Sequence, residues 1–265
     1  MKIYIIQDLE GVAGVFDWAY DLKREGRLTD ACAWMTEEIN AAVSGALAAG
    51  ADEVFVHEAH AFNFDRLHPE MKLVRSEKLE IDSSFSALFF VGQHAMAGAE
   101  NGILNHSGSS RSIVNILLND RPVGELGLIA AYAAEEGVTT ALVCGDDAVC
   151  REAETLLGSC ETVPVKWGTG QHTGTSLSTR QSCKEIHSGA ERALARLKDF
   201  KLLELTPPYQ LEIEYIRTDV ADECSIIPGI SLLDSRTTLC TAQSMKEVYN
   251  YYLCQGLVLR RVDAY

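Results

Sequence analysis

No apolar run in this chain is long enough to cross a membrane. The most apolar stretch, SALFFVG ending at Gly92, falls far below the ~18 residues that a span requires. The amino-terminal run MKIYII is followed at once by acids and lacks a small-residue cleavage pattern, so no secretory signal and a cytoplasmic location are expected. Basic charge is also scarce. Lys and Arg number 23 against 38 Asp and Glu, a net charge of −15, and no basic cluster interrupts the trend. Such a surface repels phosphate backbones and anionic lipid, which excludes nucleic acid and membrane as partners. Eight cysteines are present, but none forms CxxC and their spacing fits no zinc finger or iron–sulfur site. Most sit among apolar neighbours (ALVCG, YYLCQG), where a free thiol acts as a small buried hydrophobe. The spacing GxGxxG, a Walker lysine, GxSxG and internal repeats are all missing, which argues against nucleotide binding and serine hydrolysis.

What is present is ordinary globular composition: 265 residues, 47% hydrophobic and 23% charged, enough for a core without staples. Lys2 to Gln7, Glu53 to His57 and Ala87 to Val91 read as short buried strands, the first of them central. Between them, Met35, Ile39, Val43 and Leu47 form a helical stripe over Trp34 to Ala49. Ile113 to Leu118 and Thr139 to Cys144 read as further strands. Pro122 is suited to open a helix running from Gly124 or Glu125 to Glu136, and Ala148 to Leu157 reads as another. Trp167 to Ser182, rich in Gly, Ser and Thr, reads as a loop, and Ile186 to Phe200 as a helix. This alternation predicts a three-layer α/β fold with a mainly parallel sheet. The Pro207–Pro208 break suggests a boundary, giving a catalytic α/β domain over 1–203 and a smaller C-terminal α+β portion over 204–265.

The chemistry concentrates at the ends of the predicted strands. Asp8 and Glu10 follow the first strand two residues apart, so both point to one side, and Gly11 leaves room for close approach. Adjacent carboxylates repel unless a cation joins them. The second strand ends in His57-Glu58-Ala59-His60 and the third in Gly92-Gln93-His94, with His106 twelve residues on. Glu125 sits at the predicted helix start. Each residue alone has a bland reading: a solvated strand end, a satisfied polar histidine, an acid complementing a helix dipole. Together they place imidazoles and carboxylates at the carboxyl ends of one sheet, where α/β ligand sites lie, in a donor set suited to zinc.

YIIQDLEGVAG, EAH at His60, VGQHA at His94, NHS at His106 and NDRPVGELGL, in that order, resemble the zinc-dependent D-aminopeptidases of the dipeptide-operon (DppA-type) metallopeptidase family. The resemblance is strongest over residues 1–145. It implies two zinc ions per subunit, with Asp8 bridging them, Glu10 and His60 completing one site, and His94 and Glu125 the other. It also implies a cytoplasmic homo-oligomer, often a decamer, cleaving short peptides of the D-Ala-D-Ala type. The family often has Asp-Ser-His or Asp-Gly-His where this chain has Glu58-Ala59-His60, so an acid able to orient the histidine is kept. Three carboxylates against two Zn²⁺ leave one positive charge, which a shared hydroxide neutralises, a state suited to attack on an amide. His106, the family's catalytic histidine, is usually described as a nucleophile. Because hydroxide already fills that role, proton transfer or oxyanion stabilisation suits His106 better. Asp65, Asp146 and Asp147 are candidates for holding the substrate amine. Two other functions use similar ligands: a two-metal phosphoesterase, for which no cation is evident near the site, and a non-catalytic metal-dependent binding or scaffold protein.

Overall fold

The computed structural model describes residues 1–24, 26–60 and 62–262. In chain order its elements are β1 (Lys2–Gln7), α1 (Arg27–Ala48), β2 (Glu53–His57), β3 (Met71–Val74), β4 (Ala87–Gln93), β5 (Ile113–Leu118), β6 (Arg121–Pro122) and α2 (Glu125–Glu135). There follow β7 (Thr139–Asp146), α3 (Asp147–Leu157), β8 (Glu161–Gly170), β9 (Thr173–Ser176), α4 (Thr179–Ala195), β10 (Tyr209–Tyr215), α5 (Thr218–Cys224), β11 (Ile230–Leu232), β12 (Thr237–Ala242) and α6 (Met245–Val262). The main sheet has the order β3-β2-β1-β4-β7-β8-β9 and is parallel except for the β8–β9 pair. A second sheet, β11-β12-β10-β5-β6, is antiparallel.

Side-chain alternation along the parallel strands divides the core in two. Ile3, Ile5, Val54, Val56, Phe89 and Val91 face one way, onto Met35, Ile39 and Val43 of α1 and Ile186 and Ala190 of α4. Tyr4, Ile6, Leu88, Phe90 and Val143 face the other, onto α2, α3 and the second sheet. Strands buried on both faces read as continuous apolar runs, as β1 and β4 do. The predicted three-layer arrangement is therefore present.

Several local expectations change. The stretch from Trp167 to Ser182 is largely a hairpin: β8 runs on to Gly170 and turns back through β9, where β-branched Thr169, Thr173 and Thr175 suit extended backbone. Pro122 lies in the two-residue strand β6, and α2 starts at Glu125 behind Gly124. Helix α1 begins at Arg27, inside the polar stretch, where its first turns are partly exposed. The short helix α5 carries too few residues for a periodic signal. β5 and β6, from residues 113–122, join the same sheet as β10, so segments on both sides of position 203 build it.

The strand order reverses at β1, with β2 on one side and β4 on the other, and a crevice opens outside their carboxyl ends. The loop leaving β1 meets the carboxyl end of β4 at backbone distance. Asp8 N–H donates to Val91 O (2.9 Å) and Gly11 N–H to Gly92 O (2.7 Å). A Cβ at Gly11 would lie 2.0 Å from Gln93 O, and one at Gly92, where φ is +75°, would lie 2.1 Å from Asp8 O. Gly11→Ala is therefore expected to destabilise the metal-free protein by about 2–3 kcal/mol. Denaturant unfolding measures this, and a change within about 0.5 kcal/mol, the ordinary surface range, would show that the two segments separate freely.

Candidate metal centre

Six side chains from five separate stretches of sequence meet in the crevice. Asp8 and Glu10 leave β1, His60 follows β2, His94 follows β4, His106 comes from the loop before β5, and Glu125 opens α2. The two oxygens of Asp8 face different histidines: Oδ1 is 3.0 Å from His60 Nε2, and Oδ2 is 3.3 Å from His94 Nε2. Each histidine faces a second carboxylate, His60 with Glu10 Oε2 at 3.4 Å and His94 with Glu125 Oε1 at 3.5 Å. The donor atoms fall into two groups, Asp8-Glu10-His60 and His94-His106-Glu125, each spanning no more than 4.8 Å. His106 thus lies closer to the second group than sequence reading implied, with its Nε2 3.9 Å from Glu125 Oε1.

Backbone contacts aim these donors. His94 Nδ1 lies 2.9 Å from Ala95 O and His106 Nδ1 lies 2.8 Å from Leu104 O. A carbonyl only accepts, so Nδ1 carries a proton in both rings and Nε2 faces inward, with a free lone pair in neutral His106 and in His94 once its second proton leaves. Leu104 adopts φ +56°, a strained conformation for a branched side chain, and its carbonyl anchors His106. The rings of His94 and His106 stack at 3.8 Å, and Trp18 meets His106 edge-on at 5.6 Å. Leu9 N–H donates to Asp8 Oδ1 (2.8 Å), and Gly108 N–H donates to Glu125 Oε1 (2.8 Å).

The electrostatics of this cluster call for cations. Burial and the neighbouring Glu10 charge raise Asp8 to about 6. For His60, burial opposes the charged ring, but the Asp8 and Glu10 carboxylates outweigh it and raise the group to about 11. His94 rises to about 10 in the same way, against burial, through Glu125 and Asp8. Burial pushes Glu125 upward, yet His94 draws it down to about 2. In the absence of metal, protons on His60 and His94 supply the positive charge that three packed carboxylates require. Glu10 Oε2 is buried without a hydrogen-bond donor, which fits an atom left for a metal ion. His106 is different: burial and the nearby His94 charge lower it, so it is neutral at pH 7.

Other expectations fare unevenly. Glu58 pairs with Arg75, and it is Gln7 Nε2, donating to His60 O (2.7 Å), that holds the His60 segment. Asp146 accepts from Ile103 and Val149 N–H, and Asp147 pairs with Arg151 and accepts from Gly168 N–H, so both are engaged away from the centre. Asp65 sits in an exposed single turn. Sequence reading also left the crevice without cations. In fact a cavity of about 1090 Å³ beside Glu10 and His106 is lined by Lys23, Lys78, Arg111 and Arg260 as well as Trp18 and Tyr252. These basic residues come from four segments, which no local pattern gathers. Cys144, Cys150, Cys224 and Cys240 are buried and unpaired, as the apolar neighbours of Cys144 suggest, whereas Cys254 is exposed.

A parallel α/β sheet with paired carboxylate–imidazole groups around one shared aspartate defines a dinuclear metal-hydrolase class. Residues 1–254 match the model of the M55 peptidase family, described as D-aminopeptidase, and the chain belongs to that family. It is 32% identical to a D-aminopeptidase of Bacillus subtilis (strain 168) over 96% of each chain. It also superposes with a TM-score of 0.93 and 29% identity, over 98% of each chain, on a structure described as the Zn-dependent D-aminopeptidase DppA from Bacillus subtilis, a self-compartmentalizing protease.

Metal binding needs neutral imidazoles, whereas His60 and His94 hold protons up to about 11 and 10 in the metal-free protein. Loading two ions at pH 8 is therefore expected to release about two protons. Affinity should fall as pH drops, and more steeply below about 6, where Asp8 protonates. Calorimetry in buffers of different ionisation enthalpy measures this release. Uptake without proton release would contradict the site.

Proposed function

We propose that this protein is a dinuclear zinc aminopeptidase that removes an N-terminal D-amino acid from short peptides. The observation that carries the reading is the Asp8 carboxylate, with one oxygen toward His60 and the other toward His94. Asp8, Glu10 and His60 would hold one ion, and Asp8, His94 and Glu125 the other. Imidazole and carboxylate donors together suit zinc. When bound, the pair supplies Lewis acidity toward the scissile carbonyl and toward the attacking water.

His106 serves proton transfer. With Nδ1 committed to Leu104 O and the ring kept neutral, Nε2 is free to take a proton from the attacking water and pass it to the departing amide nitrogen. Trp18 and the stacked His94 ring shield His106 from solvent on two sides. The adjoining cavity has room for a peptide of several residues, and Lys23 and Lys78 in its lining suit the free carboxylate of a short one, of the D-Ala-D-Ala type. The relative described as self-compartmentalizing supports a homo-oligomer, a decamer in the family pattern. Exposed apolar side chains such as Ile226 and Leu233 offer surface for subunit contact. Among the described residues no helix is long and apolar enough to cross a membrane.

Metal analysis followed by a screen of D- and L-aminoacyl p-nitroanilides and a phosphate ester tests this function. Two zinc ions with turnover of D-substrates is the expected result. Phosphate-ester turnover, or metal without turnover, would overturn it. His106→Ala is expected to keep both ions while kcat falls about 10²-fold or more. Loss of an ion would make His106 a ligand instead.

A further inference from the structure

Two ionisable side chains, the buried Lys166 and the partly buried Glu152, grip the backbone of the loops that carry the proposed ligands, though neither belongs to the donor set. Lys166, on β8, is 0% exposed, and its ammonium donates to the carbonyl oxygens of Glu10 and Val15. The loop between those carbonyls is tied further by Ala13 N–H to Glu38 Oε1 (3.2 Å) and Gly14 N–H to Ser176 Oγ (2.9 Å). Glu152, on α3, meets the backbone beyond His94. Its Oε2 accepts Met96 N–H (2.7 Å), two residues beyond His94. Its Oε1 is buried without a hydrogen bond against Gly124, the residue before Glu125, where a Cβ would lie 3.2 Å away. That same Cβ would lie 2.8 Å from Met96 Cβ, so the His94 and Glu125 segments touch at the place where Glu152 meets both.

An isolated buried charge costs several kcal/mol unless hydrogen bonds and counter-charges offset it, and a methionine would fill either space without that cost. The signs also fit the task. Carbonyls are held by an ammonium, and an amide N–H by a carboxylate. Because Lys166 meets the Glu10–Val15 loop and Glu152 meets the backbone after His94, each contact bears on one half of the centre. We infer that Lys166 and Glu152 are positioning residues, Lys166 for the Asp8-Glu10-His60 half and Glu152 for the His94-Glu125 half. This inference rests on the dinuclear reading above.

The test uses the full-length chain stripped of metal and titrated with zinc against a chromophoric chelator. The wild type is expected to bind two ions. Lys166→Met and Glu152→Met should each weaken one ion by about 10–100-fold, the range for residues that support metal ligands. Glu152→Gln, whose amide oxygen still accepts Met96 N–H, should stay within a few-fold of wild type. In a His60→Ala background, which retains only the other ion, Lys166→Met should leave the remaining affinity unchanged while Glu152→Met lowers it. A His94→Ala background should reverse the two. Circular dichroism reports folding of each metal-free variant. Lys166→Gln, whose amide NH2 still donates but carries no charge, replaces the methionine variant if that chain fails to fold, and should show a smaller loss at the same ion. A wild type that binds two ions, with either variant weakening both alike or neither, overturns the inference alone. A wild type that binds no zinc pair overturns the reading of the centre.

Discussion

Two carboxylate oxygens on one buried side chain, each turned toward a different imidazole, set the terms for this molecule. Asp8 is 6% exposed, and Glu10 and Glu125 crowd the same space. Carboxylates packed this closely at low dielectric need positive charge between them. Protonated His60 and His94 supply it without metal, and two divalent ions supply it with metal. The donor geometry therefore suits exchange of protons for ions, and His106 is left neutral beside a centre whose other histidines are held charged.

The fold serves that constraint from several directions. The strand-order reversal at β1 opens the crevice, and glycines at 11 and 92 let the loop after β1 touch the end of β4 backbone to backbone. Proton placement follows from the main chain, because Ala95 and Leu104 carbonyls accept from the outer nitrogens of His94 and His106. Beneath the loops, Lys166 and Glu152 meet backbone groups that sequence-local interactions leave open.

Much of this was legible in the residues. β1, β2 and β4 announce themselves as apolar runs ending in acid or histidine, and chemistry at the carboxyl ends of parallel strands follows from topology. The parts that escaped were nonlocal. A register shift in the β7–β8 ladder at Asp146 and Lys166 lets both Val165 and Lys166 be buried, which simple alternation along the strand does not reveal. Glu152 reads as an ordinary acid on an amphipathic helix until its contact with Met96 is seen. The β8–β9 hairpin hid behind Gly and Thr content that suits a loop equally well. The support of His60 fell to Gln7, one strand away, instead of the sequence-adjacent Glu58. The cavity's cations lie far apart in the chain and converge only in the folded molecule.

Anomalous diffraction from crystals grown with zinc, collected on both sides of the zinc edge, addresses the central claim most directly. Two peaks about 3.5–4 Å apart, with one Asp8 oxygen on each, are the result the account predicts. A single ion, or a pair that leaves Asp8 bound to only one of them, would contradict it.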